Sequence, residues 1–397
     1  MAISKVLIAG GGLGGLTAAI CLAKAGFDVE VYEQAPELGE VGAGVQLSAN
    51  AVRVLADIGL TPDLEAVAVK PQGYQFRLFD TAEVIQEIQL GESYVQRHGV
   101  PYYTVHRADF HDMLVRRLRQ LSPDAIHLNA RATGFEEDAE GVSLALEDGK
   151  VVRGDVLVGA DGIKSLIRAQ IIGYTKAHYV GDVAWRVMVP VDRLPADQRD
   201  NGGLSTEIWV GPTRHAVVYY LRGGSILNFV GLVEYGDWED ESWTSRRPWQ
   251  ELKADFEGWH PRIQAIIDAA DKDQCFRWAM NDRAPVSNWS TERATLLGDA
   301  AHPTLPYMAQ GACMAIEDGA VLARCLAQVG EPAAALQLYQ RNRLDRTARI
   351  VTESAANGRL FHLDTVEELR AAFSRRDMAA ERSRWLFSYD PLTVELK

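Results

Sequence analysis

Six residues near the N-terminus, Gly10-Gly11-Gly12-Leu13-Gly14-Gly15, constrain this chain more than any others. They follow a short apolar run, residues 3–9, which reads as a buried strand ending at glycine. Residues 13–26 read as a helix closed by Gly26, and residues 28–32 as a second strand, so the chain opens on a βαβ unit. Gly10, Gly12 and Gly15 satisfy GxGxxG. The first glycine permits a tight turn, the second lets a pyrophosphate approach the backbone, and the third lets the helix pack close to the sheet. Leu13 and Gly14 lie in the same turn, where the free N–H groups and positive end of the helix suit an anion. Glu33, with Gln34 beside it, follows the second strand at the spacing that accepts hydrogen bonds from a ribose diol. The expectation is a dinucleotide site; the motif alone does not choose between FAD and NAD.

Length and charge narrow the class. At 397 residues the chain exceeds what one core usually serves, so two intertwined domains and a tail are expected. With 24% charged residues, 47% hydrophobic ones and a formal net charge of -13, it is not a nucleic-acid binder, which would need a basic face. A local arginine can still hold a small anionic substrate. Cys21, Cys275, Cys313 and Cys325 make no CxxC pair and read as small buried hydrophobes in a reducing cytoplasm. The histidines make no metal-ligand spacing, so no metal is expected. No apolar run is long enough to span a membrane, and the N-terminus lacks the plan of a signal peptide.

Further along, residues 142–146 and 151–152 read as a hairpin and 155–159 as another buried strand. Residues 178–191, 206–210, 215–221 and 226–233 are β-rich runs separated by glycine turns. They read as an antiparallel sheet set into the nucleotide-binding fold, a platform for substrate. Residues 294–297 return to a strand, 311–329 to a long helix, and the chain beyond Pro332 is helical. The helix start at Gly311 and Ala312 would offer its positive end and free N–H groups to an anionic group of a bound cofactor. The charge-dense segment 375–384 reads as a solvated helix face or a dimer contact, and residues 385–389 as an aromatic patch for covering the molecule or an interface.

Two distant segments, Val156-Leu-Val-Gly-Ala-Asp-Gly162 and Ala294-Thr-Leu-Leu-Gly-Asp-Ala-Ala-His-Pro303, join the N-terminal motif in a fixed order. Together the three resemble the group A flavoprotein aromatic hydroxylases, the para-hydroxybenzoate hydroxylase superfamily. The nearest branches are 3-hydroxybenzoate 6-hydroxylase, salicylate hydroxylase and 6-hydroxynicotinate 3-monooxygenase. The resemblance implies bound FAD, with NADH or NADPH and O2 as co-substrates, and oxygen transfer through a flavin C4a-hydroperoxide. It implies that Asp299 meets the FAD ribityl chain, that Asp161 sits where the two cofactors overlap, and that Arg107, in His106-Arg-Ala-Asp-Phe110, meets the FAD. A surface salt bridge is the other reading of Arg107. The segment Gly42-Ala-Gly-Val-Gln-Leu47 resembles the loop under the flavin, with Val45 against the cofactor and Gln46 toward substrate.

On the substrate side, His215, Val217 and Tyr219 share one face if 215–221 is a strand. The resemblance points to His215 and Tyr219 as catalytic, binding the phenol and helping to remove its proton; a histidine is a suitable base near neutral pH. Pro306 and Tyr307 stand at substrate-contacting positions but match no single branch, so the ring position attacked stays open. His302 reads as a supporting residue behind the site. The expected fold is α/β: a Rossmann-like FAD-binding domain (1–75, 101–175, 281–350), an inserted antiparallel β-sheet substrate domain (76–100, 176–280) and a C-terminal helical segment (351–397).

The expected function is hydroxylation of a small monohydroxylated aromatic acid of the 3-hydroxybenzoate or salicylate type. Rival readings are a 6-hydroxynicotinate-type decarboxylating hydroxylase and a flavin oxidoreductase without oxygen insertion. A flavin halogenase fits less well, because Val187 stands where its signature has a second tryptophan after Trp185. A homodimer is the base-rate expectation.

Overall fold

The computed structural model describes residues 3–39, 43–199, 203–236 and 245–397. At its centre lies Lys5–Ala9, with four of its five residues buried, in a five-stranded parallel sheet. The strand order is Ala294–Leu296, Val156–Gly159, Lys5–Ala9, Asp28–Tyr32 and Ile126–His127. Strands covered on both faces read as unbroken apolar runs, which is why the inner ones stood out in the sequence. The helix Leu13–Lys24 lies against this sheet and packs on the helices Gly311–Val329 and Arg107–Leu121. A small antiparallel sheet, Ala132–Asp138, Gly141–Leu146 and Val151–Gly154, flanks it.

The second layer is a seven-stranded sheet ordered Phe276–Asp282, His178–Pro190, Ile226–Glu234, Arg214–Leu221, Thr206–Gly211, Gly73–Leu78 and Val84–Gln89. It is mixed rather than wholly antiparallel: Thr206–Gly211 pairs in parallel with Gly73–Leu78. The last two strands come from a segment far earlier in the chain, so no hairpin forces the antiparallel direction there. On one side, Ala216, Val218 and Tyr220 join Trp185, Trp209 and Phe229 in a core closed by the helices Trp249–Asp255 and Pro261–Ala269. The opposite side faces Leu305, Tyr307, Met314 and Phe361.

The chain ends on a helix, Pro332–Phe361, that touches both layers, followed by Val366–Ser374 and Met378–Arg382. The terminal aromatics fold back onto the molecule: Arg349 lies 3.8 Å from the Trp385 ring centre, and Arg346 lies 3.7 Å from that of Tyr389. Leu386 and Phe387 are buried. The expected domain limits at 75/76, 280/281 and 350/351 each cut through an element, Gly73–Leu78, Phe276–Asp282 and Pro332–Phe361 respectively. The first two of these elements belong wholly to the seven-stranded sheet. All four cysteines are buried and free. Among the described residues no helix is long and apolar enough to cross a membrane.

Candidate active site

The glycine-rich turn is built by close approach. Gly10 has φ +110°, and a side chain there would collide with Ala160 on the neighbouring strand. A side chain at Gly15 would collide with the Gly10 carbonyl, and one at Gly14 would come within 2.8 Å of Leu297. Gly12 differs: a Cβ there would meet nothing within 4 Å. Its backbone therefore opens onto space beside the first turn of Leu13–Lys24, whose cap receives no side-chain hydrogen bond and whose first turn carries no acid. Such a surface suits a pyrophosphate. Glu33 accepts the Gly11 N–H at 2.7 Å and the Ala35 N–H at 2.8 Å, and each carboxylate oxygen keeps a further lone pair for a ribose hydroxyl. Gln34 beside it is exposed. His111, which the sequence reading did not single out, pins the turn through a 2.8 Å contact with the Gly11 carbonyl.

Asp299, Gly311 and Ala312 meet where the loop after Ala294–Leu296 enters the helix Gly311–Val329. Solvent reaches Asp299 although protein encloses it, so its carboxylate lies on the floor of a cleft. Burial raises its pKa against the charges of His302 and Arg107, and Arg107, half-buried at the start of its helix, is in turn attracted by Asp299. The N-terminus of Gly311–Val329 has no side-chain cap. Val45 is buried on Gly44–Leu47, which pairs with Tyr103–His106. Gly42 lies outside the described residues. Asp161 is engaged otherwise: its carboxylate accepts the Ser165 hydroxyl and the N–H groups of Leu166, at 2.8 Å, and Ile167, capping the helix Leu166–Ile172.

Behind the Gly311–Val329 helix lies a charge network that sequence reasoning missed apart from His302. Arg343 bonds Asp318 and Glu317, both at 2.7 Å, and none of these three side chains is exposed. His302 meets Asp318 at 2.6 Å, and Arg346 meets Glu317 at 2.6 Å. Burial works to raise the Asp318 pKa, but the charges of His302 and Arg343 prevail and hold it down at about 2. Buried charges on one helix with partners a whole element away leave no local pattern to read.

The substrate-side residues lie on the face of the large sheet that meets this cleft. His215 and Tyr219 share that face, two rows apart, about 13 Å between Cα atoms. Strand register puts Arg186 in the row between them, through the pairs Arg186–Val230 and Val217–Val230. Burial, partly offset by Tyr219 and reinforced by Arg107, lowers the Arg186 guanidinium to about 10. Its carbon lies 4.4 Å from the Trp278 ring centre. Tyr219 is buried, which raises its pKa, and its ring lies over Gly44. Arg186 was not foreseen, since only sheet register reveals which face it occupies.

At the other end of the face His215 is buried, with Tyr307 at 5.2 Å and Phe361 at 5.3 Å between ring centres. Tyr307 donates its hydroxyl to Asp182. Pro306, opening the same turn, is exposed. Gln46 is buried and accepts the Tyr102 hydroxyl at 2.8 Å. One group of possible metal ligands occurs among the described residues, Asp182, Glu234 and His362, within 4.8 Å of one another.

A parallel sheet opening on an uncapped, glycine-lined helix and a second sheet that walls the cleft together define a flavin-binding fold. The FAD binding domain family matches residues 4–354, and the chain belongs to that family. It is an enzyme of the FAD-dependent aromatic monooxygenase class. It is 40% identical over 366 residues to 3-hydroxybenzoate 6-hydroxylase of Polaromonas naphthalenivorans, covering 92% of this chain and 90% of that one. To 6-hydroxynicotinate 3-monooxygenase of Bordetella bronchiseptica it is 35% identical, covering 89% and 91%. Among solved structures, Klebsiella pneumoniae HpxO complexed with FAD and uric acid matches at a TM-score of 0.82 and 28% identity, over 94% of this chain and 92% of that one.

Proposed function

We propose that this enzyme hydroxylates a small monohydroxylated aromatic acid of the 3-hydroxybenzoate or salicylate type, using NADH or NADPH and O2. The observation that carries the reading is one sheet face presenting a buried histidine, a cation and a buried tyrosine in successive rows. In this reading the parallel-sheet layer holds FAD and the seven-stranded sheet holds substrate. Gly10, Gly12, Leu13, Gly14, Gly15 and Glu33 hold the adenosine diphosphate part. Arg107, Asp299, Gly311, Ala312 and Val45 contact the ribityl chain and flavin, with Gln34 and Asp161 at the margins. When bound, FAD supplies reduction by the nicotinamide and activation of oxygen toward the ring.

The side chains divide the remaining work. Arg186 holds the substrate carboxylate, close to Tyr219, which orients the ring against the strand carrying Gly44. His215 accepts the phenol proton, since a phenolate ring is the better nucleophile. Tyr307, Gln46 and Pro306 bound the ring. Self-association into a dimer is compatible with this arrangement and is expected by base rate.

The test is NADH oxidation by FAD-loaded protein across salicylate, 3-hydroxybenzoate, 4-hydroxybenzoate and 6-hydroxynicotinate, with products and hydrogen peroxide quantified. One hydroxylated product with little peroxide is expected from a monohydroxylated benzoate. A single product from 6-hydroxynicotinate alone would favour the decarboxylating alternative, and peroxide alone in every case would exclude the phenolic acids as substrates.

A further inference from the structure

We propose that His362 and Glu234 carry the proton taken by His215 out to solvent, forming a proton exit from the buried substrate face. The inference rests on the reading of His215 as the acceptor of the phenol proton. Its basis is a line of three groups from three separate elements: His215 on Arg214–Leu221, His362 at the end of Pro332–Phe361, and Glu234 at the end of Ile226–Glu234. His215 Nδ1 lies 2.6 Å from His362 Nε2, and His362 Nδ1 lies 3.0 Å from Glu234 Oε1. His362 is 4% exposed at its side chain, whereas Glu234 is 49% exposed. The line therefore runs from the interior to water.

The hydrogen-bond pattern sets the ring protons. Burial, with the two imidazoles opposing each other's charge, keeps His215 neutral, and burial lowers His362 to about 4. A neutral imidazole has one donor and one acceptor. With Glu234 ionised, His362 donates through Nδ1 and must accept at Nε2, so His215 donates through Nδ1. That leaves His215 Nε2 as an acceptor, and this buried atom has no hydrogen-bond partner among the described residues. The phenol O–H bond breaks, its electron pair stays on oxygen, and its proton joins His215 Nε2. The Nδ1 proton of His215 moves to His362 Nε2, the Nδ1 proton of His362 moves to Glu234, and Glu234 releases it to water. One proton crosses and nothing is oxidised.

The surrounding charges are Asp182, Arg214 and Asp364, and the neutral Tyr307 hydroxyl donates to Asp182. Burial and Asp364 raise the pKa of Glu234, which improves it as a proton acceptor. A cation held by Asp182, Glu234 and His362 is the competing use of this cluster, and it would have to displace the His362 Nδ1–Glu234 hydrogen bond on which the exit runs.

The experiment mixes FAD-loaded protein with 3-hydroxybenzoate in weakly buffered solution containing a pH indicator, following the flavin absorbance for binding and the dye for proton release. Glu234→Gln keeps a hydrogen-bond acceptor but cannot take the proton, and its exposed position spares the fold. His362→Gln interrupts the middle of the line. Both should bind with unchanged affinity and release the proton roughly tenfold more slowly or worse, with added imidazole buffer restoring the rate in Glu234→Gln. Wild-type release rates in both variants would overturn the proton exit, as would binding to the wild type with no proton released. No flavin response in the wild type to 3-hydroxybenzoate, salicylate or 6-hydroxynicotinate would overturn the substrate reading, and the proton exit with it.

Discussion

The ring of Tyr219 occupies the space that a side chain at Gly44 would need: a Cβ built there falls 2.6 Å from the tyrosine Cζ. This contact joins the seven-stranded sheet to the strand Gly44–Leu47. Gly44→Ala should therefore destabilise the protein by about 1–3 kcal/mol through overpacking. In a Tyr219→Ala background the same change should cost little. Urea unfolding of the two single variants and the double variant measures the coupling, and strictly additive effects would refute the contact.

Gly12 and Gly15 should fail in different ways. Gly12→Ala leaves the apoprotein fold intact, because nothing lies within 4 Å of the added carbon, yet weakens FAD binding by intruding on the pyrophosphate. Gly15→Ala meets the Gly10 carbonyl and lowers the stability of the apoprotein itself. Thermal unfolding without FAD, set beside FAD titration, separates the two outcomes.

Arg186→Met removes the cation and retains much of the apolar stem. KM for 3-hydroxybenzoate should rise by about tenfold or more, the scale of a lost charge-assisted hydrogen bond. The rate with 3-hydroxybenzyl alcohol, which has no carboxylate, should change far less. Equal losses with both compounds would remove Arg186 from carboxylate recognition.

Acid should expose two separate titrations. The His362 pKa is depressed to about 4 in the fold from an ordinary value of about 6.5, so the stability it contributes is present above the ordinary value and lost as pH falls to 4. Asp318, held at about 2 against an ordinary value of about 3.9, contributes stability that is lost between those lower limits. Unfolding free energy followed from pH 7 downward should therefore decline in two stages. His362→Gln should shrink the upper stage without abolishing it, because burial depresses His215 and His98 as well. Asp318→Asn should remove the lower one while costing about 3–5 kcal/mol, because Arg343 loses a buried partner.

What the sequence disclosed follows the range of the forces involved. Four strands of the parallel sheet and the glycine turn were legible because apolar runs and close backbone approach are written in consecutive residues, whereas the two-residue strand Ile126–His127 is too short and only half-buried to leave such a run. His215, Val217 and Tyr219 were placed on one face by the two-residue period alone. Arg186 was not, since sharing a face with them depends on pairing across Ile226–Glu234. The parallel pairing of Thr206–Gly211 and the partners Arg343 and His362 were equally invisible, each joining segments more than a hundred residues apart or separate turns of different helices. Asp161 had a sequence signal that went unused: Ser165 and the helix after it invite a capping carboxylate.

The helix Pro332–Phe361 contributes Arg343 and Arg346 to the charges behind one layer, Gly358 to the bed of the Tyr307 ring, and the residue after it, His362, to the other layer. During synthesis, every residue proposed to face the substrate is made before this helix leaves the ribosome. The nascent chain can thus form its sheets early but cannot assemble a working centre until its final segment arrives, so a prematurely terminated product would expose oxygen to no competent flavin site.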